Sequence, residues 1–314
     1  MSNNWTTKDI PDLSGKVVIV TGANSGIGWD TAAALAEKGA TVILACRNLT
    51  KSQAALDELK ARVPGADAML MQLDLASLDS VRRFAQAFKS NYDRLDLLIN
   101  NAGIMMVPYG LTADGFESQF GTNHLGHFAL TGQLLDKILE TPGARVVTVS
   151  SVGHRMGSMN FDNLLYENGA GYSPTGAYGR SKLANLLFTY ELQRRFEAAG
   201  VDAAALAAHP GGTNTNLQDE IGEHWYIKPF MPLMRLYMQD SAMGALPTLR
   251  AAVDPQARGG QYYGPGGFME QRGYPVLVES NDASHNLADA RRLWEVSEAL
   301  TGVSFGKLDQ VVTR

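Results

Sequence analysis

The sequence predicts a doubly wound α/β fold, one parallel sheet of about seven strands with helices on both faces. Two observations carry this. Short β-branched runs alternate with helical stretches along the chain, and a glycine-rich turn joins the first run to the first helix. Apolar runs separated by helices imply βαβ units around a buried parallel sheet, with right-handed crossovers. No linker-like shift in composition, repeat or low-complexity tract interrupts the alternation, so residues 1–314 read as one domain.

Strands are expected at Lys16–Thr21, Thr41–Cys46, Asp67–Leu73, Leu95–Asn100, Ala144–Ser150 and Val201–His209, with a seventh near Gln261–Tyr263. Helices are expected between them at Gly26–Lys38, Thr50–Arg62, Ser77–Ser90, Gly121–Glu140 and Ala177–Ala198. Residues 216–240 break the rhythm with Met, Pro and aromatic side chains and read as an insertion.

Hydrophobic residues make up 45% of the chain and charged residues 19%, enough apolar material for a substantial core. The net charge is −5 and no basic block stands out, so nucleic-acid binding has no electrostatic footprint. Cys46 is the only cysteine, which excludes an intrachain disulfide and fits a reduced, cytoplasmic setting. The N-terminal residues lack the apolar stretch of a secretory signal. No run of about 18 apolar residues predicts a membrane span.

The first strand leads into Thr21-Gly22-Ala23-Asn24-Ser25-Gly26-Ile27-Gly28 and then a helix. Glycines let a backbone approach a pyrophosphate, and the helix N-terminus offers free N–H groups and a positive dipole end. The second strand ends Ala45-Cys46-Arg47-Asn48. That is about 20 residues past Gly28, where NAD-specific folds place an acid for the ribose. No acid stands between Val42 and Gln53; Arg47 suits a 2′-phosphate instead, which favours NADP over NAD. Asp74-Leu75 and Asn100-Asn101-Ala102-Gly103 close the third and fourth strands, at the carboxyl ends where such sheets bind ligands.

Ser151 follows the fifth strand, and Tyr178 and Lys182 stand one helical turn apart, so both project from one face. A phenol of ordinary pKa near 10 is a poor base at neutral pH. A neighbouring ammonium favours the phenolate.

Taken in order, Gly22, Gly26, Gly28, Asp74, Asn100 to Gly103, Asn123, Ser151, Tyr178, Lys182 and Pro210-Gly211 resemble the short-chain dehydrogenase/reductase pattern over about residues 14–215. Ala45 to Asn48, Asn123-His124-Leu125-Gly126-His127-Phe128, Val149 to His154 and Ser181 to Phe188 look like its retinol dehydrogenase and protochlorophyllide reductase branch, as does the long insert between Ser151 and Tyr178. Asn214, where relatives often carry Arg, departs from the pattern.

The resemblance implies a Rossmann domain and an oxidoreductase that mostly uses NADP(H). It implies Tyr178 as general acid/base, Ser151 orienting the substrate oxygen, and Lys182 holding the ribose and lowering the Tyr178 pKa. Asn123 would hold a water in a proton relay to Lys182. Cofactor contacts are then expected from Gly22, Asn24, Ser25, Gly26, Ile27, Gly28, Arg47, Asn48, Asp74, Leu75, Asn101, Ala102 and Gly103. Tyr178, Lys182, Pro210, Gly211, Gly212, Thr213 and Thr215 complete that set.

His124, His127, His154 and His209 lack zinc-ligand spacing and read as hydrogen-bonded structural histidines, with no metal site. Trp225–Met238 falls where the family places its substrate lid, and a Met-rich aromatic segment suits a lipophilic aldehyde, ketone or alcohol. A core helix, a dimer contact and a membrane-skimming surface, taken together, fit that segment as well as the lid does. Gly264 to Phe268 and a helix near Ala290–Thr301 are expected at the far side of the pocket or at an oligomer contact; a dimer or tetramer fits the family.

Two other functions stay open. One is reduction of an activated C=C bond, weakened because Cys46 lies at the adenine end and no cysteine falls in the lid. The other is a non-catalytic NADP sensor, weakened because Asn123, Ser151, Tyr178 and Lys182 are all present.

Overall fold

Val17–Thr21 (β1) and Thr41–Cys46 (β2) are buried along nearly their whole length, as strands covered on both faces must be. The computed structural model describes residues 4–213 and 238–311. β1 leads to α1 (Gly26–Ala36), β2 to α2 (Leu49–Arg62) and β3 (Ala68–Gln72) to α3 (Leu78–Asn91). β4 (Leu97–Asn100) is followed by α4 (Gly126–Gln133) and α5 (Leu135–Glu140), and β5 (Ala144–Val149) by α6 (Pro174–Ala199). After β6 (Ala203–Ala208) come α7 (Ser241–Val253), β7 (Tyr262–Pro265), β8 (Pro275–Leu277) and α8 (Leu287–Thr301).

The strands form one sheet in the order β3-β2-β1-β4-β5-β6-β7-β8. Every pairing is parallel except β7 with β8. The order reverses between β1 and β4, which opens a crevice at their carboxyl ends. Side chains alternate across each strand. Val18, Val20, Val42 and Leu44 pack with Ala32–Ala36 and with Leu246 and Leu249 of α7. Ile19, Ile43 and Leu98 face the other way, against Phe84, Phe88, Phe128, Phe188 and Trp294.

The parallel sheet of about seven strands stands, and β8 is added to it as a three-residue antiparallel edge strand. That strand begins at Pro275, and proline is tolerated at the first position of an edge strand. Two expectations about helices need correction. The helix expected over Gly121–Glu140 is broken: Gly121–Leu125 is a π-helical turn and Leu134 separates α4 from α5. α6 starts at Pro174, not Ala177, because the Ser173 side chain accepts from the Gly176 amide and Pro174 fills the first turn. Among the described residues no helix is long and apolar enough to cross a membrane. Nearly all of the 216–240 insertion and of Trp225–Met238 lies outside the described residues.

Candidate active site

The glycine-rich turn folds onto the end of β4. Gly22 takes a φ of +67°, a left-handed conformation that glycine adopts at little steric cost. A Cβ on Gly28 would strike the Gly22 carbonyl and approach the Asn101 amide nitrogen to 2.6 Å. Asn101 in turn donates from Nδ2 to the Thr21 carbonyl at 2.8 Å. The Ser25 side chain makes no capping bond to α1, so the first amides of this helix stay available to an anion.

A groove of about 660 Å³ runs from this turn across the carboxyl ends of the strands. Of the residues singled out in the sequence, Gly22, Asn24, Ser25, Gly26, Ile27, Gly28, Arg47, Asn48, Asp74 and Leu75 line it. So do Asn101, Ala102, Gly103, Ser151, Tyr178, Lys182, Pro210, Gly211 and Thr213. Asn123 and Gly212 do not line it, and Thr215 lies outside the described residues.

At the far end, Arg47 follows β2 directly and Asn48 caps α2 by accepting from the Lys51 amide at 3.0 Å. Arg47 and Lys51 both line the groove. Neither appears in an ion pair among the described residues. Burial pushes the neighbouring Cys46 thiol up, which leaves it unreactive at neutral pH.

At the other end, Ser151 stands two residues past β5 and caps the turn Val152–Met156 by accepting from the Gly153 amide at 3.0 Å. Gly153 packs under the Tyr178 ring; a Cβ there would stand 2.9 Å from Cε1. Tyr178 is buried, and burial raises its phenol above 10 against a hydrogen bond from Ser151 that lowers it. Lys182 is buried too. Its ammonium donates to the Val149 carbonyl at 3.0 Å, and burial brings it down from 10.5 to about 8. Within the chain itself burial raises the phenol and the Ser151 hydrogen bond is what lowers it, so the expected depression by Lys182 is not seen and the resting phenol keeps its proton.

Asn123 sits in the π-helical turn, an arrangement common at functional sites. Its side chain accepts from the Ile104 amide at 2.8 Å and donates to the Ile104 carbonyl and the Ser181 hydroxyl, both at 2.9 Å. His127 donates from Nδ1 to the Asn123 carbonyl and accepts at Nε2 from Thr21, both at 3.0 Å. Thr21 receives the Asn101 and Ala102 amides at 2.9 Å. One buried histidine thus joins the turn carrying Asn123 to the ends of β1 and β4. Burial holds His127 at about 4 and His124 at about 3. Among the described residues no group of three metal-ligating side chains converges.

Several groove residues escaped the sequence reading. Lys51 sits three residues beyond the Asn48 cap, a spacing that could have flagged it. Ile104, Met105, Leu111 and Thr112 also line the groove, but come from an irregular segment without periodicity; Thr122 lines it from the π-helical turn. The helix Leu287–Thr301 packs through Ala290, Leu293 and Trp294 into the core.

A family model described as short chain dehydrogenase matches residues 16–225. Retinol dehydrogenase 12 of Mus musculus is 40% identical over 296 residues, covering 93% of this chain and 88% of that protein. A crystal structure of a putative uncharacterized protein from Mycobacterium paratuberculosis is similar at a TM-score of 0.79 and 44% identity, covering 96% of this chain and 99% of that one. A putative short chain dehydrogenase from Escherichia coli CFT073, complexed with NADPH, shares the fold at a TM-score of 0.59 and 24% identity, covering 80% of this chain and 97% of that one. By its sequence, its sheet order and these likenesses, the chain belongs to the short-chain dehydrogenase family of oxidoreductases and is retinol dehydrogenase-like within it.

Proposed function

We propose that this protein is an NADP(H)-dependent oxidoreductase that interconverts a lipophilic carbonyl compound and its alcohol, with Tyr178 as the acid/base. One observation carries the reading. Ser151, Tyr178 and Lys182 meet at one end of a groove whose other end carries Arg47 and Lys51. A bound nicotinamide supplies or accepts a hydride at its C4 position. The chain supplies position and charge.

The geometry suits reduction. Tyr178 rests as a phenol and gives its proton to the carbonyl oxygen. The Ser151 hydroxyl faces the same point and orients that oxygen. Lys182 is mostly an ammonium at neutral pH, since its pKa stays at about 8, and it steadies the phenolate left behind. Asn123 and Lys182 flank Gly103: a Cβ there would stand 3.1 Å from Asn123 Oδ1 and 3.5 Å from Lys182 Nζ. That proximity supports a proton route past Lys182 towards the Asn123 turn. At the adenine end, Arg47 and Lys51 would provide two cations for a 2′-phosphate, and the first amides of α1 would hold the pyrophosphate. The NADPH complex of the E. coli protein agrees with this choice.

The apolar lining from Ile104, Met105 and Leu111 favours a lipophilic substrate, as do the names of the mammalian relatives. The test is NADPH consumption with all-trans-retinal, a long-chain aldehyde and a small hydrophilic aldehyde. Faster turnover of the two lipophilic carbonyls is expected. Turnover of the hydrophilic aldehyde alone would reject the substrate class. No turnover of any carbonyl would reject the reaction.

A further inference from the structure

A second cluster of polar side chains, with two buried histidines at its centre and the exposed Arg155 at its rim, lies behind Ser151 at the carboxyl ends of β5 to β7, and the mechanism above leaves it unused. His154 donates from Nδ1 to the Ser151 carbonyl at 2.6 Å and accepts at Nε2 from the Asn281 amide at 3.3 Å. His209 accepts at Nδ1 from the Gly211 amide at 3.2 Å. That places its proton on Nε2, which stands 3.0 Å from Glu270 Oε2. The other Glu270 oxygen accepts from Arg155 at 2.9 Å. Tyr262 lies beside both histidine rings, 5.2 Å from His209 and 5.9 Å from His154.

These contacts join two parts of the active site. Arg155 and His154 stand on the turn that follows Ser151. His209 precedes the Pro210–Thr213 turn. Glu270 bridges them, and its own backbone presses on the second. The Gly212 amide donates to the Gln271 carbonyl at 2.8 Å. The Glu270 and Gln271 carbonyls crowd Gly211, where a Cβ would meet them at 2.8 and 2.5 Å.

Two features mark the cluster as more than packing. Met269 and Glu270 both take left-handed backbone, with φ of 50° and 57°; consecutive non-glycine residues hold that conformation only where the surroundings over-determine it. The Tyr262 hydroxyl and Asn281 Oδ1 are buried beside the His209–Glu270 pair without a well-aligned hydrogen bond. Each such group disfavours folding, and two in one place call for a role.

We propose that Glu270 is a positioning residue: through Arg155 and His209 it sets the Ser151 turn against the Pro210–Thr213 turn, and so shapes the nicotinamide end of the groove. This rests on the reading that the groove takes NADP(H).

The experiment titrates NADPH and adenosine 2′,5′-bisphosphate, which carries the adenine end alone, against the full chain and its Glu270→Ala and Glu270→Gln variants. Unfolding curves of all three proteins are recorded alongside. Losing charge-assisted hydrogen bonds in Glu270→Ala should weaken NADPH about tenfold. The bisphosphate should bind all three proteins alike. Glu270→Gln keeps an acceptor for Arg155 and should weaken NADPH by only about threefold. Unchanged NADPH affinity in the variants overturns the proposal. Equal weakening of both ligands overturns it as well, because Glu270 would then act on the whole fold. If Glu270→Ala does not fold, Glu270→Gln decides by the same comparison; if neither folds, Glu270 is a stability residue and the proposal falls. Wild-type protein that binds neither ligand overturns the cofactor reading itself, an outcome distinct from the others.

Discussion

The Lys182 ammonium stands 5.8 Å from the centre of the Tyr178 ring, one turn along the same helix. Both groups are buried, so each is driven towards its neutral form: the phenol upward and the ammonium down to about 8. The pair is built for chemistry at the expense of stability.

The folded pKa of Lys182 lies below its ordinary 10.5, so burial of the charge disfavours folding. The penalty is full below about pH 8 and fades as pH rises towards 10.5. Its size is about 3 kcal/mol. Lys182→Met should therefore stabilise the protein by about 1–3 kcal/mol at pH 7. The gain should shrink by pH 10, while turnover is lost. Val149 keeps a partner in this variant, since Asn185 also donates to its carbonyl at 3.1 Å. Urea unfolding at the two pH values checks the stability half, and destabilisation at pH 7 would contradict it.

Buried histidines act in the opposite pH range. His124 and His127 are held at about 3 and about 4 in the folded chain, against 6.5 unfolded. Below 6.5 the unfolded state takes up protons that the folded state refuses. Stability should fall through that window, by about 2 kcal/mol per histidine between pH 7 and pH 5. His124→Phe places another ring among Phe120, Phe128 and Phe188 and should remove about half of this dependence. An acid limb as steep in the variant as in the parent would sink the assignment.

Cofactor choice is carried at the adenine end. Arg47→Ala should weaken NADPH by about 1–3 kcal/mol, the worth of a hydrogen bond to a charged group, and leave NADH nearly unchanged. Lys51→Ala should do the same more weakly, because a lysine meets phosphate as a point charge without the bidentate fork. Titration of both dinucleotides decides. Equal affinity of the parent for NADH and NADPH would remove the 2′-phosphate argument.

Much of the architecture was legible because it rests on local signals. The βαβ alternation, the glycine turn after β1 and the Tyr178/Lys182 spacing each follow from backbone geometry over a few residues. What escaped depends on tertiary contact. The π-helical turn around Asn123 has the composition of an ordinary helix; its extra residue is imposed by hydrogen bonds to Ile104, Ser181 and His127. β8 is three residues long and sits among glycines, too short for any alternation to show. Glu270 lies far in sequence from the Arg155 and His209 that it joins. The spacing of Tyr178 and Lys182 shows in the sequence, but the burial that raises the phenol does not.

Tyr178→Phe tests the central claim most directly. The change keeps the ring that packs on Gly153 and removes only the hydroxyl. Turnover of the best carbonyl substrate should fall by about 10²–10⁴, the usual worth of a placed acid/base, while NADPH affinity and the unfolding midpoint stay near those of the parent. Near-parental turnover in a folded Tyr178→Phe protein would contradict the account and remove Tyr178 from the reaction.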